Sequence, residues 1–452
     1  MPPWTFHILS FGCKVNQYEG QSLQEAWQRQ GGVPCEDPAE AQVVCVNTCA
    51  ITAKAERNAR NAVARLRREA PGARIVLTGC ATDLYRDKRH RPSTPFPVPD
   101  LLVRQGDKAA LLEDPVGLLD GTRTPSPSPE PGTAFPPFDV SACTRARPVV
   151  KLQDGCSHGC AFCIVPQARG GPASRPFQDV LAECRRLLEA GFPELVLSGI
   201  NLAQYRHEGM DFWDMIAALD AALAPDHAGT ARLRISSLKP SQLDARGTDI
   251  LAGARLLCPH LHVSLQHASP SVLAAMKRPP SSADDLEAAL ERLRPHWPVM
   301  GLGADIMTGF PGETEEDVEG LLAYLERIRP TYAHVFPFSR RPGTAAWDME
   351  PVVPRREKNA RAARVRDEVA RSRDAFLRGQ TTLERVDVVA DRDQPAVRLP
   401  DGRPRFKGID QYYVPCYFPG PERPGRLRPM RPAGLVGKGM LVEPMPTTGD
   451  EP

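Results

Sequence analysis

No stretch of this 452-residue chain approaches the roughly 18 consecutive apolar residues of a membrane span, so no membrane partner is expected. The N-terminus, MPPWTFHILSFGCKVNQ, has neither a basic n-region nor a sustained apolar h-region. A secretory signal is therefore not expected, and the cytoplasm is the expected compartment. A strong charge of either sign is also missing: the formal net charge is +2, which by itself announces no polyanionic partner. At 41% hydrophobic and 25% charged residues, the composition excludes a mainly disordered chain. The length suggests two to four domains at roughly 100–200 residues each.

Proline is abundant, at 47 residues, about twice the usual share of roughly 5%. The small net charge hides an asymmetry. Between Pro351 and Met440 stand 20 Lys and Arg against 11 Asp and Glu, a surplus of +9 that leaves −7 for the rest. A basic C-terminal section on a slightly acidic protein suggests a polyanion-binding end, or else an Arg-rich solvated helix followed by an ordinary domain.

Twelve cysteines without an export signal argue against a disulfide framework and for metal or catalysis. Cys156, Cys160 and Cys163 form C-x3-C-x2-C, while Cys13, Cys49 and Cys80 stand beside glycine or in small-residue turns. The remaining six read as buried small hydrophobes or surface thiols, and Cys45, inside the apolar run Val43 to Val46, reads as core.

Residues 3–114 alternate strand and helix three times: strands Phe6–Phe11, Ala41–Val46 and Arg74–Thr78 end at Cys13, Cys49 and Cys80, with helices over Asn16–Gln30 and Ala53–Glu69. In a parallel sheet the carboxyl ends of strands share one edge, so the three cysteines should converge. Residues 115–141 include a Pro/Ser-rich stretch, Thr124 to Pro131, that reads as a linker. Over 142–373 the alternation resumes as six or so β/α units, which predicts an open or closed barrel with chemistry at the strand C-termini. Residues 376–444 turn β-like, with strands Val386–Ala390, Tyr412–Val414 and Leu441–Glu443, and fit a small all-β barrel. The fold class is thus α/β: an N-terminal three-layer domain, a central (β/α)6 partial barrel and a C-terminal β-barrel.

Three thiolates on one short loop after a strand would leave one iron of a cubane cluster without a protein ligand. The competing reading is a structural zinc site with His158 as fourth ligand, in a module serving as an RNA scaffold. The triplet, with Phe162 before its last cysteine, resembles the radical S-adenosylmethionine superfamily. That resemblance implies a 4Fe–4S cluster whose open iron chelates S-adenosylmethionine, whose reductive cleavage gives a 5′-deoxyadenosyl radical. It also places Ser198-Gly199 where the family holds the cofactor's methionine amine. Gly309-Phe-Pro-Gly-Glu-Thr314 resembles a family segment near the cofactor and reads equally as a plain tight turn.

SFGCKVNQYEG, VNTCAIT and LTGCAT resemble the ligand motifs of the methylthiotransferases, which implies a second, sulfur-carrying 4Fe–4S cluster on Cys13, Cys49 and Cys80. LVLSGINLAQY, RLRISSLKP, HLHVSLQHAS, GADIMTGFPGETEED and HVFPFSRRPGT resemble the branch acting on threonylcarbamoyladenosine in tRNA. The implied reaction is methylthiolation of carbon 2 of that base beside the anticodon. Isopentenyladenosine in tRNA or a ribosomal-protein aspartate are the alternative targets. Implied partners are the tRNA anticodon stem-loop, a sulfur donor and an electron donor of flavodoxin or ferredoxin type. Lys239 and Gln167 depart from the usual pattern at positions that could touch substrate. No catalytic side chain is assigned. Arg355, Arg356, Lys358, Arg361, Arg364 and Arg366 are candidate phosphate contacts. Tyr412, Tyr413 and Tyr417 are either stacking platforms for bases or, more in keeping with strand propensity, barrel packing.

Overall fold

The computed structural model describes residues 4–82, 97–124, 135–143, 145–392, 397–399, 402–420 and 426–445. Most of the Pro/Ser-rich stretch lies outside them. In the N-terminal section five parallel strands run in the order Gly32–Pro34, Trp4–Ser10, Val43–Thr48, Arg74–Gly79, Leu101–Leu102. Helix Lys14–Arg29 lays Leu23, Ala26 and Trp27 on one face of the sheet, against Trp4, Phe6 and Val43. Helix Ala53–Glu69, capped by the Thr52 hydroxyl accepting from the Ala55 N–H at 3.1 Å, lays Val63 and Leu66 on the other face. Two apolar stripes on opposite faces give the three layers. Cys45 is wholly buried in this core, as its apolar run predicts. Pro115–Asp120 is a short helix whose Leu118 joins the same core, and Phe138 and Val140 pack on Tyr18.

The central section is an arc of parallel strands: Val149–Asp154, Glu194–Gly199, Arg232–Ile235, then Ser237–Leu238, His260–Gln266, Gly301–Thr308 and Tyr332–Pro337. The break at Ser236 lets Arg232–Leu238 close one four-stranded sheet and open the next. Alternation sorts each strand: Leu261, Val263 and Leu265 join the core beneath the outer helices, while His260, His262 and Ser264 turn to the inside of the arc. The Arg-rich helix Arg355–Gln380 packs on helix Glu315–Ile328 and strand Tyr332–Pro337.

The C-terminal section is a five-stranded barrel of Val386–Ala390, Leu427–Val436, Gly439–Pro444, Pro415–Phe418 and Pro404–Ile409, closed by pairing of Val389 with Ile409. One predicted strand is overturned. Tyr412–Val414 is a turn, because the Asp410 carboxylate accepts the N–H groups of both Tyr412 (2.9 Å) and Val414 (2.8 Å), and Tyr413 sits at φ +70°.

Candidate active site

The three N-terminal strand ends interlock through glycines. Gly12 has φ +91°, and a Cβ there would fall 2.6 Å from both Cβ and Sγ of Cys49. Gly79, at φ +95°, lies so close to Thr48 that a Cβ would meet its carbonyl oxygen at 2.4 Å. Only glycine lets the Cys13, Cys49 and Cys80 loops approach this closely. Cys13 stands at the N-terminal end of helix Lys14–Arg29. Cys49 and Cys80 are buried, and the Cys80 sulfur accepts from Arg169 Nε at 3.1 Å. Burial pushes the Cys49 thiol up to about 12 and raises Cys80, against the opposing Arg169 charge. Such thiols stay protonated until a metal displaces the proton.

The triplet loop follows strand Val149–Asp154. Gly155, at φ +67°, passes so near the next turn that a Cβ would lie 1.8 Å from the Gly171 carbonyl oxygen. The Cys156 N–H donates to the Gly170 carbonyl (3.0 Å), and the Ala161 N–H to that of Met276 (2.9 Å), which fixes both ends of the loop. Burial pushes Cys163 up to about 11. The Cys156 sulfur accepts from Asn201 Nδ2 at 3.3 Å and from the His158 N–H at 3.4 Å. His158 turns its ring to Lys239, with Nδ1 2.6 Å from Nζ, and Lys239 stands within electrostatic reach of all three cysteines.

Among the described residues, the one set of three His, Cys, Asp or Glu ligand atoms within 4.8 Å of one another is His262, Asp305 and His334. Both cysteine trios are more widely spaced than a single ion requires, and a donor set of three thiols fits a larger, soft, iron–sulfur group. Ser198 is buried, and a Cβ on Gly199 would meet Leu202 at 2.8 Å and Gln153 at 3.2 Å. Beside them Asn201 Oδ1 is buried without a hydrogen-bond partner among the described residues, an acceptor that suits an incoming ammonium group. Gly309 is explained by structure alone. Its N–H donates to the Glu313 carboxylate at 2.8 Å, and a Cβ would collide with Lys358 at 2.2 Å.

Sequence reasoning missed the charged hub joining the two cysteine regions. Glu19, wholly buried, pairs with Lys108 of its own domain and with Lys151 (2.7 Å) and Arg169 (2.8 Å) of the central one. Lys151 and Arg169 also reach Asp154, two residues before Cys156, at 2.6 and 2.8 Å. Burial alone would raise the Glu19 carboxyl, but Arg169, Lys108 and Lys151 hold it well below the usual range. The available signal was Lys151 inside the run Val149-Val-Lys-Leu152, a charge where a buried strand should be apolar.

The inside of the arc is largely polar. Glu194 accepts from Arg232 Nε (2.6 Å) and Arg234 Nε (2.7 Å), and these arginines donate onward to carbonyls of Asp387, Ile409, Asp410 and Gln411 in the C-terminal barrel. Above them Tyr332 OH bridges His260 Nε2 (2.9 Å) and His262 Nδ1 (3.0 Å), and Asp305 Oδ1 lies 3.1 Å from His262 Nε2 and 3.0 Å from His334 Nδ1. The Tyr413 ring packs against His260 and Tyr332, with centroids 5.1 and 5.2 Å apart. Tyr412 packs on Phe376, and its carbonyl presses on Gly301. Tyr412 therefore packs against the barrel core, whereas Tyr413 packs the junction with the central section. Of the candidate phosphate contacts, Arg355 and Arg356 are exposed, whereas Arg361 is buried on Glu313 and Arg364 pairs with Glu315 and Glu319. Gln167 donates to the Gly343 carbonyl at 2.7 Å.

Residues 150–325 match the radical SAM superfamily, and residues 5–95 match an uncharacterized protein family, UPF0004. The chain is 32% identical over 383 residues to the threonylcarbamoyladenosine tRNA methylthiotransferase of Chlamydia pneumoniae, covering 84% of this chain and 86% of that protein. It is 30% identical over 439 residues to the protein of the same name from Thermotoga maritima, covering 97% and 96%. Among solved structures, the radical S-adenosylmethionine methyltransferase TsrM of Kitasatospora setae matches with a TM-score of 0.54 at 16% identity, over 77% of each chain, a likeness of fold. No described helix is long and apolar enough to cross a membrane.

Proposed function

Because the chain belongs to the radical SAM tRNA methylthiotransferases, we propose that it methylthiolates carbon 2 of N6-threonylcarbamoyladenosine beside the tRNA anticodon. In this reading Cys156, Cys160 and Cys163 hold the cluster that binds S-adenosylmethionine, and Cys13, Cys49 and Cys80 hold a second, sulfur-carrying 4Fe–4S cluster. Ser198 and Gly199 line the place of the cofactor's methionine end. Carbon 2 of adenine is an unactivated C–H position, and the bound clusters and S-adenosylmethionine would supply the radical chemistry it needs. The chain's own work is positioning and exclusion of water. The observation that carries the reading is the Glu19 hub, which ties the loops of both cysteine trios to one buried set of charges. Rings of His260, His262, Tyr332 and Tyr413 on the inner wall suit a stacked base. Exposed Arg355 and Arg356 suit RNA phosphates, and electron and sulfur donors are further required partners.

Iron and acid-labile sulfide per chain test the cluster assignment. Anaerobically reconstituted protein should hold about eight irons, falling to about four in a Cys156/Cys160/Cys163→Ala variant and also in a Cys13/Cys49/Cys80→Ala variant. Four in the wild type, vanishing in the first variant, would overturn the second cluster. Mass spectrometry of tRNA nucleosides from a deletion strain tests the target: the 2-methylthio derivative of threonylcarbamoyladenosine should be missing, and loss of the isopentenyladenosine product instead would move the assignment to that base.

A further inference from the structure

A cavity of about 320 Å³ lies where the three sections of the chain meet. Its wall carries Lys14, Arg145, Arg147 and Arg392 against one carboxylate, Asp391. Three of the cations have partners. Arg145 donates to Gln17 Oε1 at 2.7 Å, Arg147 is 3.7 Å from Asp391, and Arg392 donates to the Gly191 carbonyl and lies over the Phe192 ring at 3.9 Å. The Lys14 ammonium has neither a hydrogen bond nor an ion pair among the described residues. Its neighbour is the Tyr413 ring, whose centroid is 6.0 Å away and which also carries Arg147 at 5.9 Å and Arg234 at 5.2 Å.

That ring is held in place at a cost. A tyrosine at φ +70° is strained by about 1–2 kcal/mol, and the Asp410 turn maintains it there. Tyr413 is shared between the cavity and the inner wall of the arc, through Tyr332 and His260. Val196, also lining the cavity, alternates with Ser198 on the same strand face. The cavity thus adjoins the space where the base is proposed to lie. Lys14 directly follows Cys13, so its side chain springs from the loop assigned to the sulfur-carrying cluster.

Surplus positive charge in a recess of this size calls for an oxyanion. We propose that the cavity receives the carboxylate of the threonyl group on the target base, with Lys14 and Arg147 as its partners. The inference rests on the reading of the preceding subsection. Carbon 2 and carbon 6 of adenine both flank N1, so a base that presents carbon 2 to a group held by Cys13 brings its N6 substituent near the same loop, where Lys14 and Arg147 border the cavity. A backbone phosphate is the other oxyanion an RNA offers, but it would have to bring its strand into the recess, whereas the threonylcarbamoyl arm is a single slender branch.

Two anticodon stem-loops, identical except that one carries threonylcarbamoyladenosine and the other its threonine-carboxamide analogue, separate the sources. Affinity for each is measured by fluorescence anisotropy on the full-length reconstituted protein over a range of salt. Wild type should bind the acid about tenfold more tightly than the amide, the size of one charge-assisted hydrogen bond. Lys14→Gln should bring that ratio near one while leaving amide affinity unchanged, and Lys14→Arg should restore most of it. Equal wild-type affinity for acid and amide would overturn the proposal. So would Lys14→Gln weakening both ligands equally with a shallower salt slope, which would assign the cavity to a phosphate. If Lys14→Gln loses iron, Arg147→Gln, away from the cysteine loops, carries the same comparison. Methylthiolation of the acid stem-loop by wild type is read separately by mass spectrometry. No product there would overturn the proposed function, while the binding ratio reports on the cavity alone.

Discussion

Glu19 is wholly buried and divides its two oxygens among Lys108, Lys151 and Arg169, so its removal would leave Lys108 without a carboxylate and Lys151 and Arg169 sharing Asp154 alone. Breaking one partner of such a buried network costs roughly 3–5 kcal/mol. Glu19→Gln should therefore lower the melting temperature by about 10 °C or more, and iron content should fall as the two cysteine regions lose their common anchor. Calorimetry with an iron assay checks both. Tyr413 offers a second test at this scale. Tyr413→Ala loses the ring and keeps the strain of a left-handed backbone, whereas Tyr413→Gly loses the ring and relieves the strain. The glycine variant should be the more stable of the two by about 1 kcal/mol in chemical denaturation. Neither residue was legible beforehand: Glu19 looks like a helix-surface charge and Tyr413 like a strand residue until their surroundings are known.

Local elements were legible where one physical rule dominates. Helix Ala53–Glu69 has a Thr52 cap, an Ala/Arg body with one apolar stripe and a Pro-Gly stop, and it forms over those residues. The central arc likewise appears over the residues whose strand–helix alternation predicted it. Failures came where a side chain competed with the backbone ladder. Asp410 captures two N–H groups and turns Tyr412–Val414 away from a strand, while Leu427–Val436 stays a strand despite Pro429 and Pro432, with its register shifting after Pro432. At this scale Gly79→Ala is decisive. Its Cβ would meet Thr48 backbone atoms at 2.4 and 2.5 Å from a left-handed φ, forcing apart the ends of strands Val43–Thr48 and Arg74–Gly79. The N-terminal sheet should lose more than about 1–2 kcal/mol, with iron on the N-terminal trio lost while that on the central trio remains.

Across the whole molecule the C-terminal barrel is a plug for the central arc. Arg232 and Arg234, buried on Glu194, send their remaining donors to four of its carbonyls. Deleting residues 381–452 should destabilise the central section and make it protease-sensitive. A cut of RNA affinity with an unchanged melting curve would contradict this role. The same charges set the acid limit. Burial would raise the Glu194 carboxyl, but Arg234 and Arg232 depress it, and Glu19 is likewise depressed. A depressed carboxyl contributes fully above its unfolded value, near 4.3, and the contribution is lost as pH falls through the folded value. The melting-temperature gap between wild type and Glu194→Gln should hold steady from pH 7 to 5 and close as pH falls below about 4.5.

The sequence by itself determined what is local or periodic. It carried the two cysteine trios, the strand-end placement that draws Cys13, Cys49 and Cys80 together, the three-section order of the chain and the family resemblance of its motifs. Those features follow from residue type and spacing, which any stretch of chain displays without its partners. Tertiary structure alone decided that Glu19, Lys108, Lys151 and Arg169 form one hub, that Arg361 pairs with buried Glu313 while Arg364 pairs with Glu315 and Glu319 at the surface, and that Lys14 faces Tyr413 across a cavity bounded by three sections. A charged side chain looks the same in sequence whether it meets water or a buried partner, and only packing brings residues more than a hundred positions apart to within 3 Å, where that difference is made.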